Sequence, residues 1–307
     1  MTEDTAMVGC KNRPAERPEG AVSWNVNTTC NYRCSYCTQK DMDDRGRLSQ
    51  DTPRFLRSFA RLPGRWEIKL SGGEPLLHPH LTEIAAGLAN MGHRISIVTN
   101  FSAKPERLLA FVQAAQGRIG VFSCSLHLEY VKDVRAFIDK ACLVRQALWD
   151  GHDVTLPKPS LNVTLVATRS VLPRLWTLQT QFEQAGLTFK VQPEKVQGGI
   201  FAYTSEELAI LAAWGGHNRT GEIAHVFTGE PCLSGTRYFI LDDRGIAYRC
   251  YPARRHKQER LGDFLTDSFA LFDGPRPCPY PYCYCTVPIE RGFVRKPVIS
   301  QTTQGTT

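Results

Sequence analysis

No apolar stretch of the 307-residue chain is long enough to cross a bilayer, and its opening, MTEDTAMVGCKNRPAERPEG, lacks the apolar core of a signal peptide: it begins acidic and places Pro and Gly where a run of leucines would stand. Membrane insertion and secretion are set aside. The expectation is a cytoplasmic protein with a flexible lead-in over residues 1–19 and no disulfides. Internal repeats with a period of roughly 20 to 50 residues are also missing, which excludes solenoids and propellers. What the chain does have is 42% apolar residues, enough to bury the core of one large domain or two.

Short β-rich runs alternate with amphipathic segments of helical length as far as about residue 195. AVSWNV, WEIKLS, RISIVTN, GVFSCSL, LNVTLVA and LTFKVQ read as strands; TPRFLRSFARL, HLTEIAAGLANMG, KPERLLAFVQAA, VKDVRAFIDKACLVRQALWDG and VLPRLWTLQTQFEQAG read as helices. A helix between each pair of strands specifies a parallel sheet, because parallel neighbours need crossover connections. Six strands are fewer than the eight of a closed barrel, so residues 20–198 are expected to form a partial (β/α)6 barrel of the α/β class. Beyond them TSEELAILAAWGG reads as one more helix, and TRYFILDDRGIAYRCY as two strands about an Asp-Asp-Arg-Gly turn. Residues 199–297 are assigned to a small Cys-rich α+β module and 298–307 to a disordered tail.

Eleven cysteines in a chain without disulfides need another use, and their placement is uneven. TTCNYRCSYCTQK sets Cys30, Cys34 and Cys37 as C-x3-C-x2-C, five more follow residue 230, and Cys10, Cys124 and Cys142 are scattered. Three thiolates from one loop hold three irons of a [4Fe-4S] cluster and leave the fourth iron open to a non-protein ligand. A structural zinc site would ask for a paired C-x2-C knuckle nearby, and none lies between Cys37 and Cys124. The loop follows the first strand directly, at the C-terminal mouth of the sheet, where parallel α/β folds place their chemistry.

These residues resemble the radical S-adenosylmethionine (radical SAM) enzymes, whose Cys loop follows the first strand of a partial (β/α)6 barrel; Tyr36 takes the aromatic position of that loop. SGGEP, Ser71 to Pro75, ends the second strand and matches the family's GGEP motif, so Gly72, Gly73, Glu74 and Pro75 are expected at the amino group of SAM. TNFS ends the third strand, where Asn100 matches the family's Thr-Asn-Gly position with Phe101 in place of the glycine. Ser125 falls where the family has a serine near the SAM ribose, with His127 in place of an Asp. The resemblance implies a SAM-binding [4Fe-4S] cluster, SAM itself, and its cleavage to a 5′-deoxyadenosyl radical that abstracts hydrogen from substrate.

Cys232, Gly245 and Cys250 form C-x12-G-x4-C, which resembles the start of the SPASM and twitch modules that carry auxiliary clusters in this family. The resemblance implies one auxiliary [4Fe-4S] cluster on Cys232, Cys250 and two of Cys278, Cys283 and Cys285, since C-x4-C-x-C departs from the usual ending and five thiols compete for four places. A thiol left over among Cys278, Cys285 and Cys124 is a candidate hydrogen donor. Oxidation then follows if the auxiliary cluster takes an electron, and epimerisation if a thiol returns a hydrogen atom.

Only 29 residues precede Cys30, too few for the leader-recognition domain of many peptide-modifying relatives, so a small-molecule substrate is expected, with a sugar, aminocyclitol or aminoglycoside as the class. A ribosomal-peptide maturase with a separate recognition protein is the alternative. The net charge of +7 is spread along the chain except in YRCYPARRHKQER, with Arg249, Arg254, Arg255, Lys257 and Arg260. That run reads as a solvated basic face suited to an acidic electron donor such as flavodoxin or ferredoxin. A non-catalytic Fe-S or zinc protein binding nucleic acid through it is the third reading, and nucleic acid is not the expected partner.

Overall fold

The computed structural model describes residues 18–39, 47–196, 199–214, 226–283 and 287–294. Strands β1 (Gly20–Asn27), β2 (Trp66–Gly72), β3 (Arg94–Thr99), β4 (Ile119–Ser125), β5 (Ser160–Ala167) and β6 (Thr188–Pro193) lie side by side in chain order, each neighbouring pair parallel. The crossovers carry α1 (Thr52–Phe59), α2 (Leu81–Asn90), α3 (Pro105–Ala114), α4 (Val134–Asp150) and α5 (Leu175–Gln184). Two of these helices start on aspartate caps: the Asp51 side chain accepts from Arg54 N and that of Asp133 from Ala136 N. This is the parallel α/β arrangement the alternating sequence implies.

One face of the sheet is apolar and takes the helices. Val22, Trp24, Val26, Ile68, Leu70, Ile97, Phe122, Val163 and Val191 join one core with residues of α1 to α5, and Trp24 stacks on Phe55 at 4.7 Å. Each such large side chain contributes about 1.5–3 kcal/mol on leaving water. The opposite face is polar, yet Ser23, Asn25, Glu67, Ser96, Asn162 and Thr164 are buried there. A flat sheet would leave them wet, so the sheet curls around its own polar face. The C-terminal segment closes the lower end: Arg291 donates to both oxygens of Glu67 at 2.9 and 2.8 Å, Ser96 adds a third bond at 2.8 Å, and the hydroxyls of Ser23 and Tyr238 meet at 3.1 Å.

After β6, β7 (Lys195–Val196) and β8 (Gly199–Ile200) pair antiparallel, and α6 (Ser205–Trp214) sends Leu211 into the barrel core. β9 (Pro231–Cys232) precedes β10 (Tyr238–Leu241), which lies parallel to β1 on its free edge with Ala21 opposite Tyr238. β11 (Ile246–Tyr248) and β12 (Arg260–Asp263) continue the sheet antiparallel, giving nine strands in the order β12-β11-β10-β1-β2-β3-β4-β5-β6. The Asp-Asp-Arg-Gly turn forms as expected: Asp242 Oδ1 accepts from Arg244 N and Ile246 N, both at 2.9 Å, and Gly245 sits at φ +92°, where L side chains are strained. The C-terminal segment thus extends the barrel sheet. It is completed by α7 (Tyr251–Arg255), β13 (Arg276–Pro277), which pairs with β9, and α8 (Val287–Glu290). No helix among the described residues is long and apolar enough to cross a membrane. The lead-in up to residue 17 and the tail over 298–307 lie outside the described residues.

Candidate metal and cofactor centre

The loop leaving β1 is stitched to the end of β2. Gly73 N donates to the carbonyl and side-chain oxygens of Asn27 at 3.0 and 3.1 Å, Glu74 N to Thr29 O at 2.7 Å, and Asn27 Nδ2 to Glu74 O at 2.8 Å. So close an approach explains the two glycines, since a Cβ at Gly72 would collide with the Asn27 carbonyl and one at Gly73 with that of Thr29. Cys30, Cys34 and Cys37 therefore sit beside the Gly72–Pro75 turn. Cys37 N donates to Cys34 O at 3.1 Å, and Cys30 Sγ accepts from Tyr32 N at 3.4 Å. Arg47, beyond the loop, holds Thr28 through its backbone and closes a two-pronged ion pair with buried Asp243 at 2.8 and 3.1 Å. Burial pushes the Cys34 thiol up to about 12, with Glu129 and Cys37 adding to it, and burial raises Cys30 as well. Thiols in such surroundings become thiolates when a metal takes the proton's place.

At the neighbouring strand ends, the Glu74 carboxylate is committed inside the protein. It is 1% exposed and accepts from Thr99 Oγ1 at 2.7 Å, Leu76 N at 3.0 Å and Asn100 N at 2.6 Å. Its part at the mouth is to hold Asn100, whose Nδ2 reaches Asn31 Oδ1 at 2.9 Å and Cys30 Sγ at 3.8 Å. Phe101 has φ +59°, the left-handed conformation that a glycine adopts freely. Its ring packs against Phe137 at 5.1 Å and beneath Lys140 at 4.7 Å, which compensates that strain. Ser125 ends β4 on the polar face, and its hydroxyl has no hydrogen-bond partner among the described residues. Cys124 points the other way. It is fully buried in the helix-side core, so it is withdrawn as a hydrogen donor.

The sequence marked His127 only as a departure, yet it faces the loop, with Nδ1 2.8 Å from Tyr36 Oη and 3.3 Å from Cys34 Sγ. Burial pulls this imidazole down to about 4, so it is neutral at pH 7. Glu129 accepts from Ser35 N at 3.1 Å, and Tyr130 stacks on Tyr32 at 4.1 Å. The readable signal was the polar run LHLEY directly after a strand end.

A second thiol set surrounds one cavity, where Cys232, Cys250, Cys278 and Cys283 line a wall shared with Phe227, Tyr280 and Val294. Pairing of β9 with β13 puts Cys232 opposite Arg276, and Cys250 caps α7. Cys285 lies outside the described residues. The basic run does not form a continuous solvated face: Arg249 and Arg254 are buried, while Lys257 and Arg260 are exposed. Among the described residues no three His, Cys, Asp or Glu side chains converge on a single-ion site. A cubane that gives each thiolate its own iron does not require that convergence.

Residues 24–143 match the model of the Radical SAM superfamily. This segment belongs to that superfamily. Its relatives include a GTP 3',8-cyclase of Stenotrophomonas maltophilia strain K279a, 33% identical over 148 residues, which are 46% of this chain and 45% of that protein. An S-adenosylmethionine-dependent nucleotide dehydratase of Thermoplasmatales archaeon strain ISO4-H5 is 33% identical over 95 residues, 30% of this chain and 33% of that one. The chain thus spans half or less of the length of these relatives. Among solved structures, anSMEcpe with bound AdoMet covers 81% of this chain and 78% of its own at TM-score 0.57 and 14% identity. Streptococcus suis SuiB bound to S-adenosylmethionine covers 80% and 64% at 0.56 and 15%. At such identities they show a likeness of fold alone. The donor set at the mouth fits the superfamily's cofactors: three thiols on one loop suit a cluster with one open iron, and the carbonyls of the adjoining glycine turn suit an ammonium.

Proposed function

We propose that the chain is a radical SAM enzyme, with one cluster on Cys30, Cys34 and Cys37 and an auxiliary [4Fe-4S] cluster on Cys232, Cys250, Cys278 and Cys283. The observation that carries this reading is the stitching of a three-thiol loop to the Gly72–Pro75 turn at the C-terminal mouth of a parallel sheet. When bound, the first cluster and SAM supply the radical that takes a hydrogen atom from a substrate carbon. The chain positions the partners. The Gly72–Pro75 turn would border the SAM ammonium, Asn100 borders the loop that carries Tyr36, and the Ser125 hydroxyl, which has no partner among the described residues, is available to the ribose. The buried polar face, with Asn25, Asn162 and Thr164, holds a polar substrate away from bulk water.

By their names the two relatives act on GTP and on a nucleotide. That moves the substrate class from a sugar or aminocyclitol to a nucleotide-like small molecule. The peptide-maturase reading keeps only a likeness of fold, and burial of Arg249 and Arg254 removes the continuous basic surface that a nucleic-acid binder would need. An acidic flavodoxin or ferredoxin is the reductant, with Lys257 and Arg260 as its docking charges.

Anaerobic reconstitution tests this. About eight irons are expected. Changing Cys30, Cys34 and Cys37 together to Ala should remove about half of them and abolish SAM cleavage, and changing Cys232 and Cys250 should remove the other half. Tightly bound zinc without iron would overturn the reading.

A further inference from the structure

Among the described residues, the wall of the second thiol cavity has one charged side chain, Arg249. It is 2% exposed and held on three sides: Nε donates to Ser234 O at 3.1 Å, Nη2 to the carbonyls of Arg276 and Pro277 at 2.6 and 3.1 Å, and Nη1 to Glu259 at 2.7 Å. Glu259 also accepts from Tyr280 at 2.6 Å, and its side chain keeps 26% exposure. A guanidinium tied in this way cannot turn from the cavity, and Glu259, which keeps some contact with water, offsets its charge only in part. Arg249 lines the same wall as Cys232, Cys250, Cys278 and Cys283 and directly precedes Cys250 in the chain.

We infer that Arg249 is a fixed cation that raises the reduction potential of the cluster held by Cys232, Cys250, Cys278 and Cys283, making the second site an electron acceptor. The inference rests on the reading that this cavity holds a cluster. Every electron added makes the cluster and its thiolates more negative, and a cation in a low-dielectric wall favours the reduced form over the oxidised one. The consequence is a preference for oxidation. A substrate that has lost a hydrogen atom to the SAM-derived radical then gives one electron to the second site and one proton to solvent, which completes a two-electron oxidation; epimerisation would instead return a hydrogen atom and pass no electron.

The test uses the full chain with Cys30, Cys34 and Cys37 changed to Ala, so that only the second cluster reports, and follows its potential by EPR during redox titration. Arg249→Gln should shift the reduction equilibrium at least tenfold toward the oxidised form, a fall of 59 mV for a one-electron couple. Arg249→Lys, which keeps the charge, should retain most of the potential, and Glu259→Gln, which strips the counterion, should raise it. Protein that takes up no iron in this background refutes the cluster reading itself. Full iron with an unmoved potential in Arg249→Gln or in Glu259→Gln overturns the role of Arg249 alone. Should Arg249→Gln fail to hold iron, Glu259→Gln decides.

Discussion

Replacing Glu74 by Gln tests how the mouth is held, and the structure fixes what that single atom exchange should do. The carboxylate shares three donors between its oxygens, Thr99 Oγ1 and Leu76 N on one and Asn100 N on the other. Glutamine keeps an oxygen for two of them. Its nitrogen then faces the Asn100 N–H, donor against donor, and a buried unpaired N–H costs about 1–3 kcal/mol. The two surviving bonds lose their charge assistance, roughly 1 kcal/mol each. Against this stands relief from burying a charge, since burial is what pushes the Glu74 carboxyl up. The balance is a loss of about 2–4 kcal/mol.

Urea unfolding of the apo chain measures it: the midpoint should fall with little change in slope. SAM binding should weaken by about 1.5–3 kcal/mol in parallel, because Asn100 is no longer fixed against Asn31 and Cys30. A variant within about 0.5 kcal/mol of the parent in stability would refute the anchoring role. Loss of SAM affinity at unchanged stability would instead put the carboxylate in direct contact with the ligand.

Glu67 should govern acid stability. Burial pushes its carboxyl up, but Arg291 and Ser96 together outweigh burial and hold it below the ordinary value, so the stability it contributes is complete above the unfolded carboxyl range, near pH 4.5, and is lost as pH falls through the lower folded value. Glu67→Gln should flatten that part of the stability–pH curve, and an equally steep curve would contradict the ion pair. Phe101→Gly relieves about 1–2 kcal/mol of left-handed strain but gives up a buried ring worth about 3–5 kcal/mol, so denaturant unfolding should show a net loss; a gain would mean the ring packing is not what holds the turn. Reversing Lys257 and Arg260 to Glu should slow turnover with a flavodoxin more than with dithionite, and equal slowing would remove them as docking charges.

Much of the barrel was legible because its two periodicities are strong. Each of the six strands falls within one or two residues of its β-rich run, and the alternation along β1 alone separates the helix-facing Val22, Trp24 and Val26 from Ser23 and Asn25. The same period of two shows why Cys124 misled: a strand-end position near the mouth says nothing of the face, and Cys124 follows Phe122 onto the helix side. The GGEP turn was legible as a motif, but the role of Glu74 was not, because two of the three donors it satisfies lie 25 and 26 residues away at the end of β3. The basic run misled for a related reason, since charge counted along a sequence carries no information on which guanidinium will find carbonyls and a carboxylate inside the fold. Arg249 found both.

The addition of β10 to the free edge of β1 was invisible to local pattern, because parallel pairing of strands more than 200 residues apart is a long-range choice that periodicity cannot encode. Its consequence reaches both thiol sets. β1 leads directly into Cys30, and β10 leads through β11 into Cys250, so one continuous sheet fixes the spacing of the two loops. Arg47 and Asp243 tie the far side of the first loop to the β10–β11 turn, and the hydroxyls of Thr38, next to Cys37, and Tyr251, next to Cys250, meet at 3.4 Å. A flexible linker would let the two sites separate; this sheet does not. With the two thiol loops related by strand register rather than by a tether, lengthening the Asp242–Gly245 turn should disturb both loops together.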